Sequence, residues 1–176
     1  MKQLFNKLKK NNKGDIYFSR VICYLLLVVC IAFMLDVVIL LIQNVVTSYE
    51  AAFYAEKVAI QGGLLGDSRT LPGPSAKPCT GCLINADFSE RISKTFGYFG
   101  ISADDWDANI TDMNNVEHYV HKFGNSTSAR YTFDYMNVGV FNLTTEFKPR
   151  FSTFLWGSKT YFIKKSVPFV VEHIPS

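Results

Sequence analysis

The side chains with the types and spacing for chemistry are a cysteine pair, three histidines and a short run of aspartates. Cys79-Thr80-Gly81-Cys82 has the spacing of a redox C-x-x-C. Such a pair works as a thiol oxidoreductase when a helix N-terminus lowers one thiol pKa within a thioredoxin-like βαβ unit. Here the surrounding stretch, residues 64–86, is instead punctuated by Pro72, Gly73, Pro74, Pro78 and Gly81. No second ligand pair of comparable spacing completes a zinc site, and Leu83 stands where a haem attachment needs His. The expectation is a local Cys79–Cys82 disulfide clipping a loop in an oxidising compartment. A tethered oxidoreductase using the same two cysteines is the sharper, less favoured reading.

His118 and His121 lie three apart, a spacing that sends side chains to opposite faces of a regular strand. Two such residues do not share a metal, and His173 is a lone third candidate. Asp104, Asp105 and Asp107 lack the spacing of an EF-hand loop and read as the cap of a helical turn. There is no G-x-S-x-G, P-loop, H-E-x-x-H or dinucleotide fingerprint. The expectations are no enzyme activity, no cofactor, no metal and no small-molecule substrate.

The elements that would position any site are organised around one long helix. Val21 to Ile42 is a 22-residue apolar stretch with a single charge, Asp36. At ~1.5 Å per residue it reaches ~33 Å, enough to cross a bilayer core of ~30 Å. It is longer than the apolar region of a cleavable signal, and no A-x-A site follows it, so an uncleaved anchor over residues 21–43 is expected. Upstream, residues 1–20 hold six basic groups and one acid, while the rest of the chain is mildly acidic. The positive-inside rule then puts residues 1–20 in the cytoplasm and the C-terminal body outside. The total of 18 basic against 15 acidic residues, with the excess confined to that arm, excludes a basic nucleic-acid-binding domain. Aromatic content of 15% excludes a disordered chain. Asp36 falls in the outer leaflet. It is either a tolerated carboxylate near water or a residue pairing with a partner helix.

Neither Gly nor Pro occurs from Asp15 to Gln61, so the helix is expected to continue past the membrane as an amphipathic extension over residues 44–63. Tyr49, Ala52, Phe53, Glu56, Ala59 and Ile60 form the stripe expected to pack, and Gly62-Gly63 ends the helix. An extracytoplasmic domain is assigned to residues 87–176. Asp87 with Glu90 suggests a capped helix start. Ser102 to Trp106 suggests a second capped turn with Trp106 as a core anchor. Strands are expected over Val116–Phe123, Ala129–Met136, Val138–Phe147 and Ser158–His173. Helix followed by strands predicts an α+β fold, with an antiparallel sheet of about four strands covering the outer helix.

Between the last two strands, Phe151, Phe154, Leu155 and Trp156 crowd one loop. They either plug the end of the core or face a partner or lipid headgroups, plugging being the default. Three N-x-[S/T] sequons, at Asn109, Asn125 and Asn142, keep a type II surface glycoprotein open.

The order of these features resembles a known family. A basic arm ending Lys13-Gly14-Asp15 precedes a membrane helix that runs into an Ala-rich extension. A late Lys148-Pro149-Arg150-Phe151…Leu155-Trp156-Gly157 loop follows in a small sheet domain. This plan resembles the TadE-type pseudopilins of tight-adherence pili. It also resembles related small membrane proteins carried by conjugative elements of Gram-positive bacteria. The resemblance implies a non-enzymatic, single-pass subunit of a pilus-like or transfer apparatus, with similar subunits as partners. It implies packing through the N-terminal helix, an assembly contact at Phe151, Phe154, Leu155 and Trp156, and processing after Gly14 ahead of Asp15. Cleavage there would put Ser19, where the family carries Glu, at the fifth mature position. The alternative is a membrane-anchored surface binding protein.

Overall fold

The backbone begins with α1, a helix of 50 residues from Asn12 to Gln61. It stops at Gly62, whose φ of 75° is the left-handed conformation that glycine adopts at helix ends. A computed structural model describes residues 12–66, 82–126, 130–157 and 159–172. Two units divide the chain: residues 1–38 with 149–159, and residues 39–148 with 160–176.

In the first unit, Tyr17, Tyr24, Leu25, Leu26, Val28 and Met34 of α1 are exposed, apolar and uncovered by the chain. Among the described residues α1 is the one helix long and apolar enough to cross a membrane. The same unit contains α3, a single turn from Thr153 to Trp156.

The second unit is α+β. After α1 come β1 (Gly63–Leu65), α2 (Asn85–Tyr98) and a 3₁₀ turn (Ala103–Asp105). Strands β2 (Trp106–Thr111), β3 (Glu117–Lys122), β4 (Asn125–Ser126), β5 (Arg130–Thr132), β6 (Val138–Phe147) and β7 (Tyr161–Val170) follow. The main sheet is antiparallel with order β4-β3-β2-β6-β7, and β1 pairs with β5 in a separate ribbon. The sheet therefore has five strands, one of them only two residues long. Its central strand, β2, lies outside the four stretches expected to be strands.

One side of the sheet carries the core. Trp106, Ala108 and Ile110 of β2 share that side with Phe141 and Leu143 of β6, as the register Ala108↔Leu143 and Ile110↔Phe141 requires. Tyr54 of α1 sits at the centre, stacked on Phe88 of α2 at 3.7 Å and tilted on Phe141 at 4.8 Å between centroids. Its hydroxyl donates to Asn85 Oδ1 at 3.1 Å, so the buried phenol keeps a partner.

The packing face of α1 differs from the expected stripe. Of that stripe Ala59 is buried and Phe53 half-buried, but Tyr49, Ala52, Glu56 and Ile60 are exposed, and Ala51, Tyr54, Ala55 and Val58 are buried instead. Small alanines lie on both sides of the helix, so apolar period alone did not select the face. The buried face also admits the polar residues Thr47, Glu50 and Gln61, each of which has a partner. Thr47 Oγ1 donates to Gln43 O at 2.7 Å, and Gln61 Oε1 accepts from Leu83 N at 2.7 Å. Glu50 Oε2 pairs with Arg91 Nε at 3.2 Å.

Two caps resolve differently. Ser102 and Asp105 form a capping box on the 3₁₀ turn, as the aspartate run suggested. The expected start of α2 at Asp87 is overturned. That helix begins at Asn85, and its N-cap Ile84 makes no side-chain cap.

Candidate functional site

Asp36 is a lone carboxylate on the apolar half of α1, and it is only 4% exposed. Its partners come from residues 150–152 of the same unit. Oδ1 accepts from the backbone N–H groups of Arg150 at 2.9 Å and Phe151 at 3.2 Å. Oδ2 accepts from Phe151 N at 3.2 Å, Ser152 N at 2.7 Å and the Ser152 hydroxyl at 2.5 Å. Three consecutive amides and one hydroxyl thus converge on one carboxylate.

Local sequence explains why the loop offers those amides. Pro149 has no N–H and is buried at the loop entry. Ser152 is the N-cap of α3, so the amides around it have no intrahelical acceptor. Gly157 closes the turn with a φ of 66° and donates to Thr153 O at 2.8 Å. Successive free amides in a turn form an anion-binding concavity, and Asp36 fills it. Hydrogen bonds to a charged group contribute about 1.5–3 kcal/mol each.

The pairing envisaged for Asp36 was with another helix. The structure instead gives the carboxylate to a loop 114 residues later in its own chain. The loop's apolar groups do not all plug a core, because Phe151 is 47% exposed and Phe154 is 61% exposed. Leu155 and Trp156 complete α3, and their side chains lie outside the described residues. Gly14 and Asp15 fall in the first turn of α1, again without described side chains.

The other sequence candidates disperse. Cys79 lies outside the described residues, and with it the expected clip; Cys82 is not a free thiol. Cys23 and Cys30 are free and exposed. His118 and His121 are on the same face, contrary to strand periodicity. The register skips between Ala108 and Asn109, leaving Val120 as an extra residue in β3. Ile110↔His118 and Ala108↔His121 therefore share a side. Each ring has a separate role. His121 stacks on Trp106 at 3.6 Å, with Nδ1 2.7 Å from Ser89 Oγ, and burial pushes its pKa down. His118 stacks on Tyr131 at 3.5 Å, and both rings reach Asp112 Oδ2, at 3.3 and 2.8 Å. Among the described residues no three His, Cys, Asp or Glu side chains gather as a metal site. His173 lies outside those residues.

Two of the three sequons are structural. Asn142 Nδ2 donates to Asn109 Oδ1 and to Thr111 Oγ1, both at 2.9 Å, while its Oδ1 accepts from Ser166 Oγ at 2.7 Å. Both asparagines are buried, and Asn125 is exposed.

The sequence signal for the Asp36 site was the lone acid in an apolar run together with an aromatic-rich loop. Nothing in either stretch connects them. No protein family, curated protein or solved structure matches the chain.

Proposed function

We propose that the chain is a non-enzymatic, single-pass membrane subunit of a pilus-like or conjugative-transfer apparatus. Its N-terminus is cytoplasmic and its α+β domain extracytoplasmic. One observation carries this reading: α1 changes partners along its length. Residues 47–61 supply the core face of the α+β unit, whereas Tyr17 to Met34 carry bare apolar side chains. A helix with that division needs a second apolar environment for its first half. Lipid supplies part of it, and neighbouring subunits supply the rest in an assembly that packs through its helices. The basic arm and the resemblance of the motif order to that of TadE-type pseudopilins support the same reading.

Cys23 and Cys30 are natural probes. They lie seven residues apart, about two helical turns, and therefore on one side of α1. Mild oxidation of native membranes should yield a disulfide-linked dimer that Cys23→Ser/Cys30→Ser abolishes. Only monomer under these conditions, with the thiols still alkylatable, would favour a membrane-anchored surface binding protein that acts alone.

A further inference from the structure

We infer that the loop 149–157 is a re-entrant wedge in the outer leaflet, with Phe151 and Phe154 among lipid acyl chains and its backbone clasped by Asp36. The inference rests on the membrane reading of α1. Asp36 lies 15 residues beyond Val21, about 22 Å along the helix axis. A hydrocarbon core of about 30 Å that starts at Val21 therefore extends about 8 Å past Asp36. The amides of Arg150, Phe151 and Ser152 contact Asp36 directly, so they lie at the same depth.

Irregular backbone is excluded from lipid because its N–H groups find no acceptor there. The clasp removes that obstacle at these three amides. It also supplies the donors that a carboxylate at this depth needs. Each element makes the other tolerable in hydrocarbon. The side chains agree, since Phe151 and Phe154 are exposed on the same unit as the bare apolar turns of α1. Lys159, exposed, follows the apolar run, and a long basic side chain of this kind reaches up to headgroup phosphates. At that depth lipid is the surrounding solvent, and the exposed basic Lys159 beyond the apolar run suits the headgroup layer, so lipid rather than a second copy of the chain is assigned to Phe151 and Phe154.

The test places a nitroxide at Phe154→Cys, and separately at Met34→Cys, in full-length protein lacking Cys23 and Cys30. The protein is reconstituted in phosphatidylcholine/phosphatidylglycerol vesicles. Both labels are expected to be relaxed by dissolved oxygen and protected from a water-soluble nickel chelate. Adding Asp36→Leu should expose the label at position 154 to nickel while the label at 34 stays protected. Nickel access at 154 alone, in the parent, overturns the wedge and leaves the membrane span standing. Nickel access at both positions overturns the span itself. Protection of 154 from both oxygen and nickel shows a protein partner on the loop and overturns the lipid assignment. Continued protection of 154 after Asp36→Leu overturns the clasp as the cause.

Discussion

Ser152 donates both its backbone N–H, at 2.7 Å, and its hydroxyl, at 2.5 Å, to one oxygen of Asp36, 116 positions earlier in the chain. One residue thus holds the carboxylate twice, and its neighbours Phe151 and Arg150 hold it again. A single side chain on α1 therefore fixes the backbone of the loop.

Asp36→Leu should free the amides of residues 150–152. Charge-assisted hydrogen bonds contribute about 1.5–3 kcal/mol each, so local opening should become easier by on the order of 3 kcal/mol. Amide exchange at Phe151 and Ser152 in detergent should accelerate roughly a hundredfold. Ser152→Ala removes only the hydroxyl and should give a much smaller change, about tenfold. Unchanged exchange in Asp36→Leu would show that the clasp does not hold the loop.

Asn142 is the polar hub of the outer sheet face, bonded to Asn109, Thr111 and Ser166. Asn142→Ala should destabilise the α+β unit by about 1–3 kcal/mol, because Asn109 Oδ1 loses a donor in a buried setting. Denaturant unfolding measures it. Asn142 commits the nitrogen that a glycan would occupy, and Asn109, which accepts through Oδ1, is buried. Peptide mass mapping of the native protein should therefore find Asn109 and Asn142 unmodified. A glycan on either would mean that this face opens before or during folding.

Asp112 gives the domain an acid limit. Hydrogen bonds from the Val116 amide, Tyr131, His118 and the Asn114 amide bring its pKa from the usual 3.8 to about 2. The depressed carboxyl pKa means that its stabilisation is complete above pH 3.8 and is lost as pH falls through about 2. Asp112→Asn should flatten the stability–pH curve between those values. An unchanged slope would show that another carboxyl carries the acid transition.

His121 acts in a higher window. Burial against Trp106 lowers its pKa from the usual 6.5, so the unfolded state takes up the proton first. Stability is full above pH 6.5 and declines as pH falls toward the lower folded value. His121→Asn should lower stability overall but flatten the slope just below pH 6.5. A slope that persists would place the titrating group elsewhere.

Helix length, the glycine stop and β6 were legible because they depend on local rules. Apolar run length, the left-handed preference of Gly62 and alternation over Val138–Phe147 all lie within a few neighbouring residues. β2 was not legible. Its outward residues Asp107, Asn109 and Thr111 are polar, and only the register with β6 makes them partners. The shared face of His118 and His121 was hidden for a related reason, since the extra residue Val120 is defined only against β2. The Asp36 clasp was the least legible feature. An unpaired acid is visible in any hydropathy plot, but its acceptors are filled by backbone amides. Backbone amides carry no residue identity, so no pattern in residues 149–157 marks them as donors.

The separation of Asp36 from its partners also has a consequence for biosynthesis. At 5–20 residues per second, the ribosome adds the 114 residues between Asp36 and Arg150 in about 6–23 s. Throughout that interval α1 carries its acid without the groups that later surround it. The last strand is still to be made when those groups arrive. The clasp therefore closes only once residues 150–152 have been made, and a nascent chain truncated before Pro149 would keep the acid uncapped.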